Sequence, residues 1–118
     1  MDLLDSEALV QLLGAGEQNQ RLIANNLANL NTPGYRTARL DFSRELDDLL
    51  TDRGRLKPGK EITTEVYRPF FRDVSHDGND VQLAREMTEL NKNDLRMRLY
   101  LRVLGGRINR MRDAIRGG

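Results

Sequence analysis

From residue 83 to residue 115 an apolar side chain recurs at alternating steps of four and three. Leu83, Met87, Leu90, Met97 and Leu101 carry the first half of this series, and Leu104, Ile108, Met111 and Ile115 the second. Asp94 is the one polar residue in it. A stripe of this period predicts a helix over 81–116, roughly 50 Å long at 1.5 Å per residue. Its length and regularity point to coiled-coil packing rather than to one face of a globule. Asn79 or Asp80 is placed to cap its start. Arg110, Arg112 and Arg116 lie near its end, where positive charge suits the helix dipole.

The first 30 residues repeat the pattern more weakly. Leu9, Leu13, Gly16, Gln20, Ile23, Leu27 and Leu30 follow the same alternation and predict a helix over 2–30, with Asp2 or Asp5 as its cap. Gly14, Gly16 and Asn19 soften its centre, because glycine and asparagine are poor helix formers. Thr32-Pro33-Gly34 then stops the helix. A residue before proline is pushed toward extended geometry, and Pro-Gly suits the two central positions of a type II turn.

Between the two helices, residues 36–78 lack a sustained period. Residues 41–50 read as a short helix with Phe42, Leu46, Leu49 and Leu50 on one side. Residues 51–61, with Gly54, Pro58 and Gly59, read as a loop. The β-favouring run 62–71 reads as an extended segment or short strand, and 73–80 as a turn. The expected fold is mainly α: two long terminal helices packing as a coiled-coil-like pair, with an irregular middle. The chain divides accordingly into 1–35, 36–78 and 79–118.

Composition changes this picture in one respect. Only 38% of the 118 residues are hydrophobic and there is no tryptophan, so apolar material for a closed core is scarce. Two regular seams with little to cover them point to a protein that completes its packing against neighbours. The charges agree with pairing of the two ends. Residues 1–35 hold Asp2, Asp5, Glu7 and Glu17 against Arg21, whereas residues 79–118 carry nine arginines and lysines against five acids. With no cysteine, disulfides and thiolate metal sites are excluded. No run approaches the roughly 20 apolar residues of a membrane span. The acidic start, Met1 to Glu7, lacks the basic and apolar regions of a secretory signal, so the general secretion route is not expected.

Several motifs invite chemistry and fail on spacing. Asp73 to Gly78 resembles the opening of a calcium loop, but the twelfth position is Ala84 where a bidentate glutamate belongs. Gly14-Ala15-Gly16 has Asn19 at the third glycine position of a nucleotide fingerprint and follows no strand. His76, the one histidine, has no evident nucleophile or metal-ligand set around it. The arginines of the last helix alternate with Glu86, Glu89, Asp94 and Asp113 and lack interleaved aromatics, which argues against nucleic acid. No catalytic residue, metal site or cofactor is expected.

One run remains, Ala24 to Tyr35. Asn25, Asn26, Asn29 and Asn31 crowd the end of a helix that asparagine does not favour. Their amides both donate and accept, so they suit a helix end that must bond exposed backbone or a neighbouring helix. Together with Thr32, Pro33, Gly34 and Tyr35 they are the candidate assembly motif. This run resembles the N-terminal signature of the flagellar axial proteins, the family of rod, hook and hook-associated subunits. Asp77 to Met87 is similar to the run that opens the last helix of the proximal-rod branch. Asn91 to Tyr100 departs from the Ser-Arg-x-Tyr type sequence of the distal rod and hook members, and Gln82 stands where an acid is common. The resemblance covers both helices. It implies a structural subunit of the basal-body rod, exported without a cleaved signal by the flagellar type III apparatus. It further implies assembly with copies of itself and other rod subunits against the inner-membrane ring and adaptor, as a helical tube in the periplasm.

Overall fold

The computed structural model describes residues 6–41 and 64–117. Helix α1 spans Ser6–Ala28, strand β1 Arg39–Asp41, strand β2 Glu65–Tyr67 and helix α2 Leu83–Ile115. The expected caps Asp2 and Asp5 lie outside the described residues, as do most of the expected short helix (42–50) and the loop at 51–61. Asp41, expected to open that short helix, is instead the last residue of β1. Of the expected extended run 62–71, Glu65–Tyr67 form the strand. The strands pair antiparallel, with Arg39 opposite Tyr67 and Asp41 opposite Glu65. No helix among the described residues is long and apolar enough to cross a membrane.

The two helices run antiparallel. The Arg107 guanidinium lies 3.5 Å from the Ser6 hydroxyl at one end. Asn19 donates to Asn93 at 2.9 Å in the middle, and Asn26 to Glu86 at 3.0 Å at the other end. The result is an elongated body of 65 × 25 × 18 Å. Among the described residues one apolar cluster holds Ala8, Leu9, Leu12 and Tyr100, with Leu13 and Leu104 packed against it, and Ala15, Ile23, Ala38, Leu40 and Val81 are buried outside it. Each fully buried large apolar side chain contributes about 1.5–3 kcal/mol.

The facing surfaces do not follow the apolar stripes residue for residue. On α1 the buried series is Leu9, Leu12, Gly16, Asn19, Ile23 and Asn26. It keeps Leu9, Gly16 and Ile23 of the expected seam. Leu12, Asn19 and Asn26 take the places of Leu13, Gln20 and Leu27, of which Leu13 and Leu27 are half-buried and Gln20 is exposed. On α2, Glu86, Asn93, Tyr100 and Arg107 are buried every seventh residue. Leu90, Met97 and Leu104 are half-buried between them, while Leu83, Met87, Leu101, Ile108, Met111 and Ile115 are exposed. The stripe therefore straddles the edge of the helix pair. Its inner edge meets α1 and its outer edge points away. The reason is physical: polar groups that find partners inside the pair are as buriable as leucine, so counting apolar positions alone rotates the seam by one residue at every second step.

Candidate functional site

The asparagine-rich end of α1 is a saturated polar node. Asn26 is fully buried. Its side-chain oxygen accepts from the Ala38 amide at 3.0 Å and the Tyr35 hydroxyl at 3.1 Å. Its amide donates to the Ala38 carbonyl at 2.9 Å and to Glu86 Oε2 at 3.0 Å. All the hydrogen-bonding capacity of the side chain is used. Glu86, also fully buried, receives the Arg39 guanidinium in two bonds, Nη1 to Oε2 at 2.8 Å and Nη2 to Oε1 at 2.6 Å. Such bidentate pairs are the strong, orientation-fixing kind. Burial works against the charge on Arg39, but the Glu86 bonds and charge outweigh it and hold the guanidinium above its ordinary pKa.

The turn that follows is clasped to the start of α2. Tyr35 N–H donates to the Thr32 carbonyl at 3.2 Å, and Gly34 has φ +75°, the positive value a type II turn needs at its third position. Gly34 N–H donates to the Asp77 carbonyl at 2.9 Å. Gly78, at φ +85°, lies against Gly34, so close that a Cβ on Gly78 would stand 3.6 Å from the Gly34 Cα. Asn79 then points its amide at the carbonyls of Asn29 (2.8 Å), Leu30 (3.2 Å) and Thr32 (2.7 Å). These carbonyls belong to the turn that follows α1, so Asn79 holds that turn against the start of α2. The N-cap of α2 is Gln82, without a side-chain cap bond, and neither Asn79 nor Asp80 takes the expected place. Asp80 accepts instead from Thr37 N–H at 2.6 Å and its hydroxyl at 2.8 Å, and pairs with Arg36 at 3.1 Å. Beside it, the Ser75 hydroxyl and the Asn79 N–H hold the Asp77 carboxyl below its usual range.

The candidate motif residues thus divide. Asn26 is buried in the node, and Tyr35 and Asn29 are half-buried. Asn29 bonds the Asn25 carbonyl at 2.8 Å and receives the Thr32 hydroxyl at 3.0 Å. Asn25, Asn31, Pro33 and Gly34 are exposed. Residues outside the candidate motif carry most of the geometry: Arg39, Glu86 and Asn93, which the apolar pattern does not single out, and Asn79 and Asp80, expected only as caps of α2. A signal exists: Glu86, Asn93 and Arg107 are separated by multiples of seven residues, as are Asn19 and Asn26. His76 lies in an exposed turn, and no group of metal-ligating side chains occurs among the described residues.

Gly34 gives a direct test of the clasp. A β-branched residue at positive φ costs about 1–3 kcal/mol. Gly34→Val is expected to lower the unfolding free energy by that amount in urea titrations followed by circular dichroism. An unchanged midpoint would mean the turn has another conformation.

The similarity to known proteins is not confined to the clasp and runs along the whole chain. The flagellar basal body rod protein FlgB of Salmonella typhimurium is 30% identical, with 100% of this chain and 99% of that protein aligned. The chain belongs to the flagellar basal body rod protein FlgB family. The FlgB of Escherichia coli K12 is 28% identical over the same shares, and that of Bacillus subtilis 27% identical over 93% of this chain and 92% of its own length. The pattern described as "Flagella basal body rod protein" matches residues 13–36. In this family member those residues are α1 from Leu13 onward, including the saturated Asn26, and the clasped turn.

Proposed function

We propose that this chain is a structural subunit of the bacterial flagellar basal-body rod, polymerising through its terminal helices into a helical tube that transmits torque. The observation that carries the reading, beside family membership, is the outer edge of α2. Leu83, Met87, Leu101, Ile108, Met111 and Ile115 lie between 43% and 84% exposed along one helix. A monomer gains nothing from such a stripe, and a run of exposed large apolar residues marks an interaction surface. Contacts between unlike patches of identical copies generate open helical assemblies rather than closed dimers. The helix pair, residues 1–35 and 79–118, forms the inner layer, and residues 36–78 lie outside it. Its partners are further copies, other rod subunits and the inner-membrane ring with its adaptor. It reaches the periplasm through the flagellar type III export apparatus.

Leu101→Asp tests this. Leu101 is 54% exposed, so the free chain should keep its stability to within about 0.5 kcal/mol, as surface changes do. Rod assembly and motility should be lost while export of the chain continues. Normal motility in that variant would remove the outer edge of α2 from the assembly interface.

A further inference from the structure

Three layers cross the helix pair at seven-residue intervals, and each obeys the same register. Leu12 and Tyr100 share the apolar cluster. Asn19 faces Asn93 at 2.9 Å, and Asn93 also donates to the Gly16 carbonyl at 3.0 Å. Asn26 faces Glu86 at 3.0 Å. A slip of one heptad in either direction breaks this match. One direction sets Asn93 against Leu12. The other sets Asn19 against Tyr100 and Arg107 against Leu12, and it draws Glu86 away from Arg39. Buried polar groups without partners are strongly disfavoured, and a single buried asparagine is enough to specify register in a helix pair.

We infer that the Asn19–Asn93 and Asn26–Glu86 layers are specificity determinants of assembly, which make α1 and α2 of one chain pair with each other in one register and bar α2 from using this face on a second copy. The polar seam does this through what it rejects. Two copies of α2 laid seam to seam in parallel would set Glu86 against Glu86 and Arg107 against Arg107, and laid antiparallel they would set Asn93 against Tyr100; either arrangement takes Glu86 from its Arg39 and Asn26 contacts. The outer edge of α2 carries no such residue except Asp94 and stays open to partners. This selection goes beyond the proposed rod role, since it concerns how the subunit is prepared rather than what it joins.

The chain has four methionines. Met87 and Met111 are exposed, whereas Met97 lies so close to Gly16 that a Cβ there would stand 2.8 Å from its Cγ. Methyl-labelled methionine NMR on the full chain should therefore give one Met97 resonance with a cross-peak to the Gly16 α-protons. In Asn19→Leu/Asn93→Leu we expect full helix content, a second Met97 resonance from a shifted register, and concentration-dependent dimers in sedimentation. A single Met97 resonance with the same Gly16 cross-peak and unchanged sedimentation would overturn the inference. More than one Met97 resonance in the native chain would do the same. If the leucine variant loses its helical signal, the smaller Asn19→Val/Asn93→Val is read in its place. Loss of helix in both would mean that the amides hold the fold up rather than select its partner, and the inference would fall.

Discussion

Glu86→Ala is expected to cost about 3–5 kcal/mol of stability, the usual penalty for removing one partner of a buried ion pair. Glu86 is fully buried and Arg39 nearly so, and the carboxylate supplies both acceptors of the guanidinium as well as one acceptor for Asn26. Its loss strands a charge and an amide N–H together. The cost should be read in urea unfolding curves. A value below about 1 kcal/mol would mean that water reaches Arg39 and the node is not dry. Replacing both partners by apolar residues, Glu86→Leu with Arg39→Met, should recover most of the loss, since a buried pair and its hydrophobic substitute are often close in free energy. The two sites touch, so their single effects will not add.

Gly16→Leu is the second large effect. Gly16 packs directly on Met97: a Cβ on Gly16 would fall 2.8 Å from Met97 Cγ and 3.1 Å from its sulfur. Leucine there forces the helices apart and strains the Asn93 bond to the Gly16 carbonyl. Overpacking costs about 1–3 kcal/mol, and a lost buried hydrogen bond adds about 1 more. Gly14, two residues away, faces open space. Gly14→Ala should gain about 0.5–1 kcal/mol from helix propensity alone. Thermal melts of the two variants should therefore move in opposite directions. A Gly16→Leu chain as stable as the native one would mean that α1 and α2 do not approach closely at that point.

Much of this architecture is legible in the residue pattern, and the rest is hidden for identifiable reasons. The long α2 follows from its unbroken alternation, and the turn from Pro33-Gly34. The end of α1 was visible because asparagines crowd a place that helix propensity alone would not give them. The pairing face is hidden, because Glu86, Asn93 and Arg107 look like solvent residues until Arg39, Asn19 and Ser6 are seen opposite them. Those partners lie 47, 74 and 101 residues away, beyond the reach of any local pattern. Asn79 or Asp80 suits the cap of the helix that follows, by residue type alone. Only the fold reveals that Asn79 reaches back to the turn that follows α1.

That reach has an architectural corollary. The chain departs for its middle segment at Tyr35 and Arg36 and comes home at Asp77 to Asp80, where Gly34 and Thr37 are already waiting for it. Exit and return share one doorway, so the two ends of the connecting segment are fixed to one another. Doubling the length of such an excursion costs only about 0.6 kcal/mol in closure entropy. Changes of length between Asp41 and Thr64 are therefore expected to cost the knot at the doorway, and the paired helices beyond it, little.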